Sequence, residues 1–82
     1  MTRRQIEAQR FGRRLKTIRT AKGLRQADVA KRVRLDVTVV CRIERGERVI
    51  RVSDLARFAA ALDVSVEELV SSSPVVPAPA AA

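Results

Sequence analysis

Histidine, tryptophan and tyrosine are missing from this chain, and cysteine occurs once, at Cys41. One thiol closes no internal disulfide, and without imidazole a zinc site would need that thiol plus carboxylates, so neither is expected. With Phe11 and Phe58 as the only aromatic residues, the chain has too few rings for the stacking platforms that hold single-stranded nucleic acid. Catalysis is not expected: there is no Gly-rich phosphate loop and no nucleophile beside a base, and Asp63, Glu67 and Glu68 read as loop and first-turn acids of a last helix. No apolar run approaches the roughly 20 residues that span a bilayer, and the Arg-rich N-terminus leads into no signal-peptide core. The expectation is a cytoplasmic protein without cofactor, metal, membrane contact or small-molecule ligand.

Positive charge is what the chain has in excess. Seventeen Lys and Arg face nine Asp and Glu, and fourteen of the seventeen are Arg, whose planar fork suits phosphates and guanine edges. The excess is segregated: residues 1–51 carry +11 and residues 52–82 carry −3. A generic soluble surface needs no such division, whereas a polyanion partner does, and nucleic acid fits better than an anionic membrane.

The 82 residues allow one domain, which buries about 60% of its unfolded surface, so each large apolar residue should have a packing role. Phe11, Leu15 and Ile18 make one stripe of a first helix, which ends at Gly23, where a left-handed terminus is accessible. Residues 1–10 are either a helical extension, with Thr2 and Gln5 as a capping box, or a basic arm frayed around Gly12 and Arg10. Val29, Ala30 and Val33 mark a second helix over 26–33, and Asp36 caps a third over 37–45. Gly46 ends the third helix, and Val52, Leu55, Phe58, Ala59 and Leu62 predict a fourth over 52–62. Ser65 and Glu68 box a short fifth helix over 66–70. After the domain at 11–70, residues 71–82 hold three prolines within six positions and read as a flexible Pro/Ala tail, unless Val75 and Val76 dock on a partner subunit.

The tight joint between the second and third helices, only Arg34 and Leu35 apart from the cap, forces a steep crossing, with small Ala30 at the close approach and Val40 and Ile43 facing inward. Subtraction then leaves Val37, Thr38, Cys41, Arg42 and Arg45 on the outer face of the third helix. With GLRQADVA before the joint and RIERG after it, the chain resembles the Cro and lambda-repressor type of helix-turn-helix domain over residues 11–70. The resemblance implies an all-α, five-helix fold, a third helix that enters the major groove of an operator, and a homodimer. The dimer surface is expected within Val64 to Val76.

The resemblance also implies residue roles. Arg19 and Glu44 occupy the positions of a buried structural ion pair, consistent with a carboxylate beside the inward face that needs a cation. Val37, Thr38 and Arg42 are candidates for base contact. Arg42 suits guanine O6 and N7, and its other readings are a phosphate contact or a solvated charge. Gln26 matches a phosphate-binding position, and Arg25, Arg45, Arg48 and Arg51 are candidate phosphate contacts or solvated charges. The chain departs from the family pattern at Arg34, where Gly is usual, at Arg25, where a Ser or Thr cap is usual, at Val37, which replaces a polar residue, and at Cys41, where Ser is common. The expected function is a sequence-specific transcriptional regulator, a repressor or small controller protein. The competing reading is a DNA-binding antitoxin or coactivator-like module that docks on another protein through its acidic, Val-rich end.

Overall fold

The computed structural model describes residues 2–70 as five helices: α1 (Arg3–Ala21), α2 (Gln26–Val33), α3 (Val37–Glu44), α4 (Val52–Leu62) and α5 (Val66–Val70). Residues 71–82, which carry the expected tail and the Val75 and Val76 part of the expected dimer surface, lie outside the described residues. At the start of α1 the Thr2 hydroxyl accepts from the Gln5 N–H at 3.2 Å while Gln5 Oε1 accepts the Thr2 N–H at 2.8 Å. This reciprocal box satisfies two orphan donors, and Arg3 to Arg10 continue without a break into the rest of the helix.

Gly12, read from sequence as a point of fraying, is instead a contact point. A Cβ there would fall 2.3 Å from the Ile43 carbonyl oxygen and 2.7 Å from that of Glu44, so only glycine lets the α1 backbone lie directly on the end of α3. From the other side, Gly46 takes φ +78°, and a Cβ on it would come within 2.8 Å of Gln9 Cα.

Four helices end in one hydrogen-bond pattern, in which a left-handed residue donates three positions back and its apolar or polar successor donates five back. The left-handed residues are Gly23, Arg34, Gly46 and Asp63. After three of them comes an apolar residue, Leu24, Leu35 or Val64, that packs against the core. That packing explains why the turn survives Arg34 at φ 62°, a conformation that costs a non-Gly residue about 1 kcal/mol. Arg34→Gly should therefore raise stability by about 1 kcal/mol in urea denaturation. Asp63→Gly should gain less, because Asp tolerates the left-handed region better.

The core is formed by Leu15, Val29, Val33, Val40, Ile43, Phe58, Leu62 and Leu69, each fully buried. Each such side chain contributes roughly 1.5–3 kcal/mol on leaving water. Phe11 meets Phe58 edge to face, with centroids 6.4 Å apart. Two arginines missed in the sequence lock α2 to α4: Arg32 Nη1 donates to the Ala61 carbonyl at 2.8 Å, and Arg57 Nη2 donates to the Val33 carbonyl. Each places a cation on the carbonyl end of the opposite helix, where the backbone dipoles favour it. One expectation fails: Val52 is 83% exposed, so the buried stripe of α4 begins at Leu55. The spacing is helical, but Val52 is the first residue of α4, and the buried positions of the helix, Phe58, Ala59, Ala61 and Leu62, all lie in its second half.

Candidate nucleic-acid interface

α3 is held from behind. Val40 and Ile43 enter the core, and at its C-terminal end Glu44 meets Arg19 of α1 through two hydrogen bonds, Nε to Oε2 at 2.5 Å and Nη2 to Oε1 at 3.0 Å. Both side chains are buried, with 10% and 3% of their surface exposed. Arg19 Nη1 also donates to the Leu24 carbonyl at 2.9 Å, which ties the loop before α2 into the same network. With its inner face fixed, α3 presents the other side to solvent. Val37, Thr38, Arg42 and Arg45 are exposed there, and Cys41 is half-buried beside them.

The N-terminal end of α3 is set by Asp36, whose carboxylate accepts the Thr38 N–H at 2.8 Å. That bond holds the Asp36 carboxyl below its ordinary range. At the start of α2, Arg25 has no side-chain acceptor with which to cap, so only half a box forms: Asp28 accepts the Arg25 N–H at 2.8 Å and pairs with its guanidinium at 3.2 Å. The Arg25 side chain thereby lowers the Asp28 carboxyl in turn. Both depressed carboxyls favour the folded state above their unfolded values, and this contribution is lost as pH falls through the lowered ones.

The candidate residues divide by what already engages them. Arg42, Arg48 and Arg51 are exposed and form no ion pair among the described residues. Arg25 pairs with Asp28, and Arg45 approaches Glu47 at 3.9 Å, both at the surface. Gln26 is half-buried, and its Nε2 donates to Glu44 Oε1 at 2.9 Å, so the start of α2 is fastened to the end of α3 through the buried carboxylate. Sequence reasoning missed this bond, since no local pattern links positions 18 apart on two helices. Of the expected dimer segment, Val64 and Leu69 pack inward, while Val66 and Val70 remain partly exposed. No group of three or more His, Cys, Asp or Glu among the described residues is placed to hold a metal, and none of their helices is long and apolar enough to cross a membrane.

A short helix packed at its back, joined by a tight turn to a second one and rimmed by arginines, defines the helix-turn-helix class. The family profile described as "Helix-turn-helix domain" matches residues 10–71. The HTH-type transcriptional regulator YazB of Bacillus subtilis is 34% identical over 64 residues, covering 78% of this chain and 93% of its own. Among solved structures, the restriction-modification controller protein C.AhdI of Aeromonas hydrophila superposes with a TM-score of 0.75 at 39% identity, covering 78% of this chain and 97% of its own. The controller protein C.Esp1396I, solved as a tetramer on its natural 35-base-pair operator, superposes with a TM-score of 0.67 at 28% identity, covering 78% of this chain and 95% of its own. The chain belongs to the helix-turn-helix family of transcriptional regulators, with the all-α, lambda-repressor-like fold, and it is not an enzyme.

Proposed function

We propose that this protein binds a two-fold operator as a homodimer, with α3 of each protomer in the major groove, and regulates transcription from the cytoplasm as a repressor or small controller protein. The observation that carries this reading is the two-sidedness of α3: Val40, Ile43 and Glu44 are buried behind it, and Val37, Thr38 and Arg42 are exposed in front. Arg42 supplies a bidentate donor to guanine O6 and N7. Val37 and the Thr38 methyl suit thymine methyls, and the Thr38 hydroxyl suits a base edge or phosphate. Arg25, Gln26, Arg45, Arg48 and Arg51 contact phosphates on either side, Gln26 through the groups its bond to Glu44 leaves free.

In vitro selection from random duplex DNA tests this reading. Two half-sites about one helical turn apart are the expected result, and a pool without an enriched motif overturns it. Arg42→Ala should lose about 1–3 kcal/mol of discrimination at one base position while leaving the preference at other positions intact. Competition between the selected site and single-base variants measures this.

A further inference from the structure

Where the C-terminal ends of α2 and α4 meet, a cavity of about 750 Å³ opens, lined by Arg32, Val33, Arg34, Arg57, Ala60 and Ala61. Its volume falls within the roughly 300–1,000 Å³ of small-molecule sites. None of the residues assigned above to DNA lines it, and no acidic side chain does. Val33, Ala60 and Ala61 give it a small apolar floor, and the three arginines supply its charge. The sequence alone predicts no small-molecule ligand, because Arg57 joins Arg32 and Arg34 only once α4 packs on α2.

Arg32 gives one N–H to the Ala61 carbonyl, and Arg57 gives one to the Val33 carbonyl and one to Asp54 at 3.2 Å. Arg34 is exposed and forms no ion pair among the described residues. A guanidinium is a fork of donors without an acceptor, so most of the N–H groups around the cavity remain unspent. Capping accounts for Arg32 and Arg57 but not for Arg34, which holds a left-handed position that glycine would take more easily. The two helix ends carry about half a negative charge each, and Asp54 offsets part of Arg57, but three guanidiniums outweigh these. We propose that the cavity binds a small polyanion, a metabolite with two or more linked phosphate groups, held by Arg34 together with the free donors of Arg32 and Arg57. Phosphate fits better than carboxylate because donors come from two elements at once. Its oxygens accept from several directions, whereas a carboxylate is matched by a single fork. A duplex or an acidic protein segment suits a projecting basic surface, whereas these guanidiniums surround a concavity. The bound anion would tie the turn that carries Arg34 to α4, and that turn leads directly into α3. The inference stands apart from the DNA reading, since the two share no residue.

The test is titration of the full chain with inorganic pyrophosphate at fixed ionic strength, followed by calorimetry and by amide shifts in two-dimensional NMR. One saturable site per chain is expected, with the shifts centred on Val33, Arg34, Ala60 and Ala61. Arg34→Gly should weaken it about tenfold. Because this change also relaxes the left-handed turn, lost binding is not lost folding. Arg48→Gln and Arg51→Gln each remove the same charge elsewhere and should change the affinity less than about twofold. The proposal is overturned if no saturable site appears, if either of these two variants weakens binding as much as Arg34→Gly, or if the shifts fall on α3 instead. Citrate should bind several-fold more weakly, and tighter binding of citrate overturns the assignment to phosphate. A hexaglutamate peptide that binds through Arg34 where pyrophosphate does not gives the face to a protein partner and overturns the proposal. So does a loss of affinity for the selected DNA half-site in Arg34→Gly, which would make Arg34 a duplex contact. A chain that binds pyrophosphate in this way but selects no DNA motif overturns the DNA reading and leaves this site standing.

Discussion

Raising salt from about 50 to 200 mM should weaken operator binding by roughly 10⁴-fold, the loss expected for about eight phosphate contacts per dimer. The estimate takes the four candidate arginines of each protomer, Arg25, Arg45, Arg48 and Arg51, as releasing one counterion each. Two of the four are not free: Arg25 is paired with Asp28 and Arg45 with Glu47. If those pairs persisted on DNA, about four contacts would remain and the same change in salt would cost roughly 10²-fold. The magnitudes decide between the two. Exposed ion pairs contribute about 0–1 kcal/mol, less than a phosphate returns through counterion release, so the pairs should open. A plot of log affinity against log salt should therefore have a slope near roughly −7, and a slope near roughly −4 would mean that Asp28 and Glu47 retain their partners. Glu47→Gln and Asp28→Asn should then each raise affinity at low salt, because each releases an arginine already aimed at solvent. Asp28→Asn has a second effect, since Asp28 also accepts the Arg25 N–H at the start of α2.

These residues also show how much the sequence could disclose. The inner face of the helix-turn-helix was legible because burial imposes a period, and Val29, Val33, Val40 and Ile43 follow it. The outer face follows by subtraction, so the exposure of Val37, Thr38 and Arg42 was legible too, though not which partner each would meet. Helix ends were half legible. Gly23 and Gly46 announce a left-handed residue, and the resemblance marks Arg34 as standing where Gly is usual, whereas Asp63 adopts the same conformation unannounced, betrayed only by the apolar Val64 that follows it. Gly12 misled because propensity reads a helical glycine as weakness, while its role depends on a backbone 31 positions away, at Ile43. Val52 misled because periodicity says which way a residue points and not whether anything lies there. The Gln26 bond to Glu44 and the Arg32 and Arg57 caps lay beyond reach for the same reason, as each joins two helices whose mutual placement only the packed fold defines.

The network around Glu44 should dominate the stability of the domain. Glu44→Ala should cost about 3–5 kcal/mol, because it leaves the buried guanidinium of Arg19 facing Gln26 and the Leu24 carbonyl without a carboxylate. A domain of this size holds only roughly 4–12 kcal/mol in all, so the variant should unfold at a much lower urea midpoint. Arg19→Met should cost a similar amount at neutral pH but differ in its pH dependence. The stranded Glu44 can take up a proton, whereas the stranded Arg19 of the first variant cannot lose one. The Arg19→Met variant should therefore recover part of its loss in acid, where a proton can neutralise the stranded carboxylate, whereas Glu44→Ala should show no such recovery. Combining Arg19→Met with Glu44→Leu removes both charges and fills much of the same space, and it should recover most of the loss, since a buried ion pair stabilises little over an apolar pair of similar volume. Urea denaturation of the three variants across pH decides the matter. If the double variant is as unstable as Glu44→Ala, the pair does more than neutralise itself, and the Gln26 and Leu24 bonds that hold α2 against α3 are the part that matters.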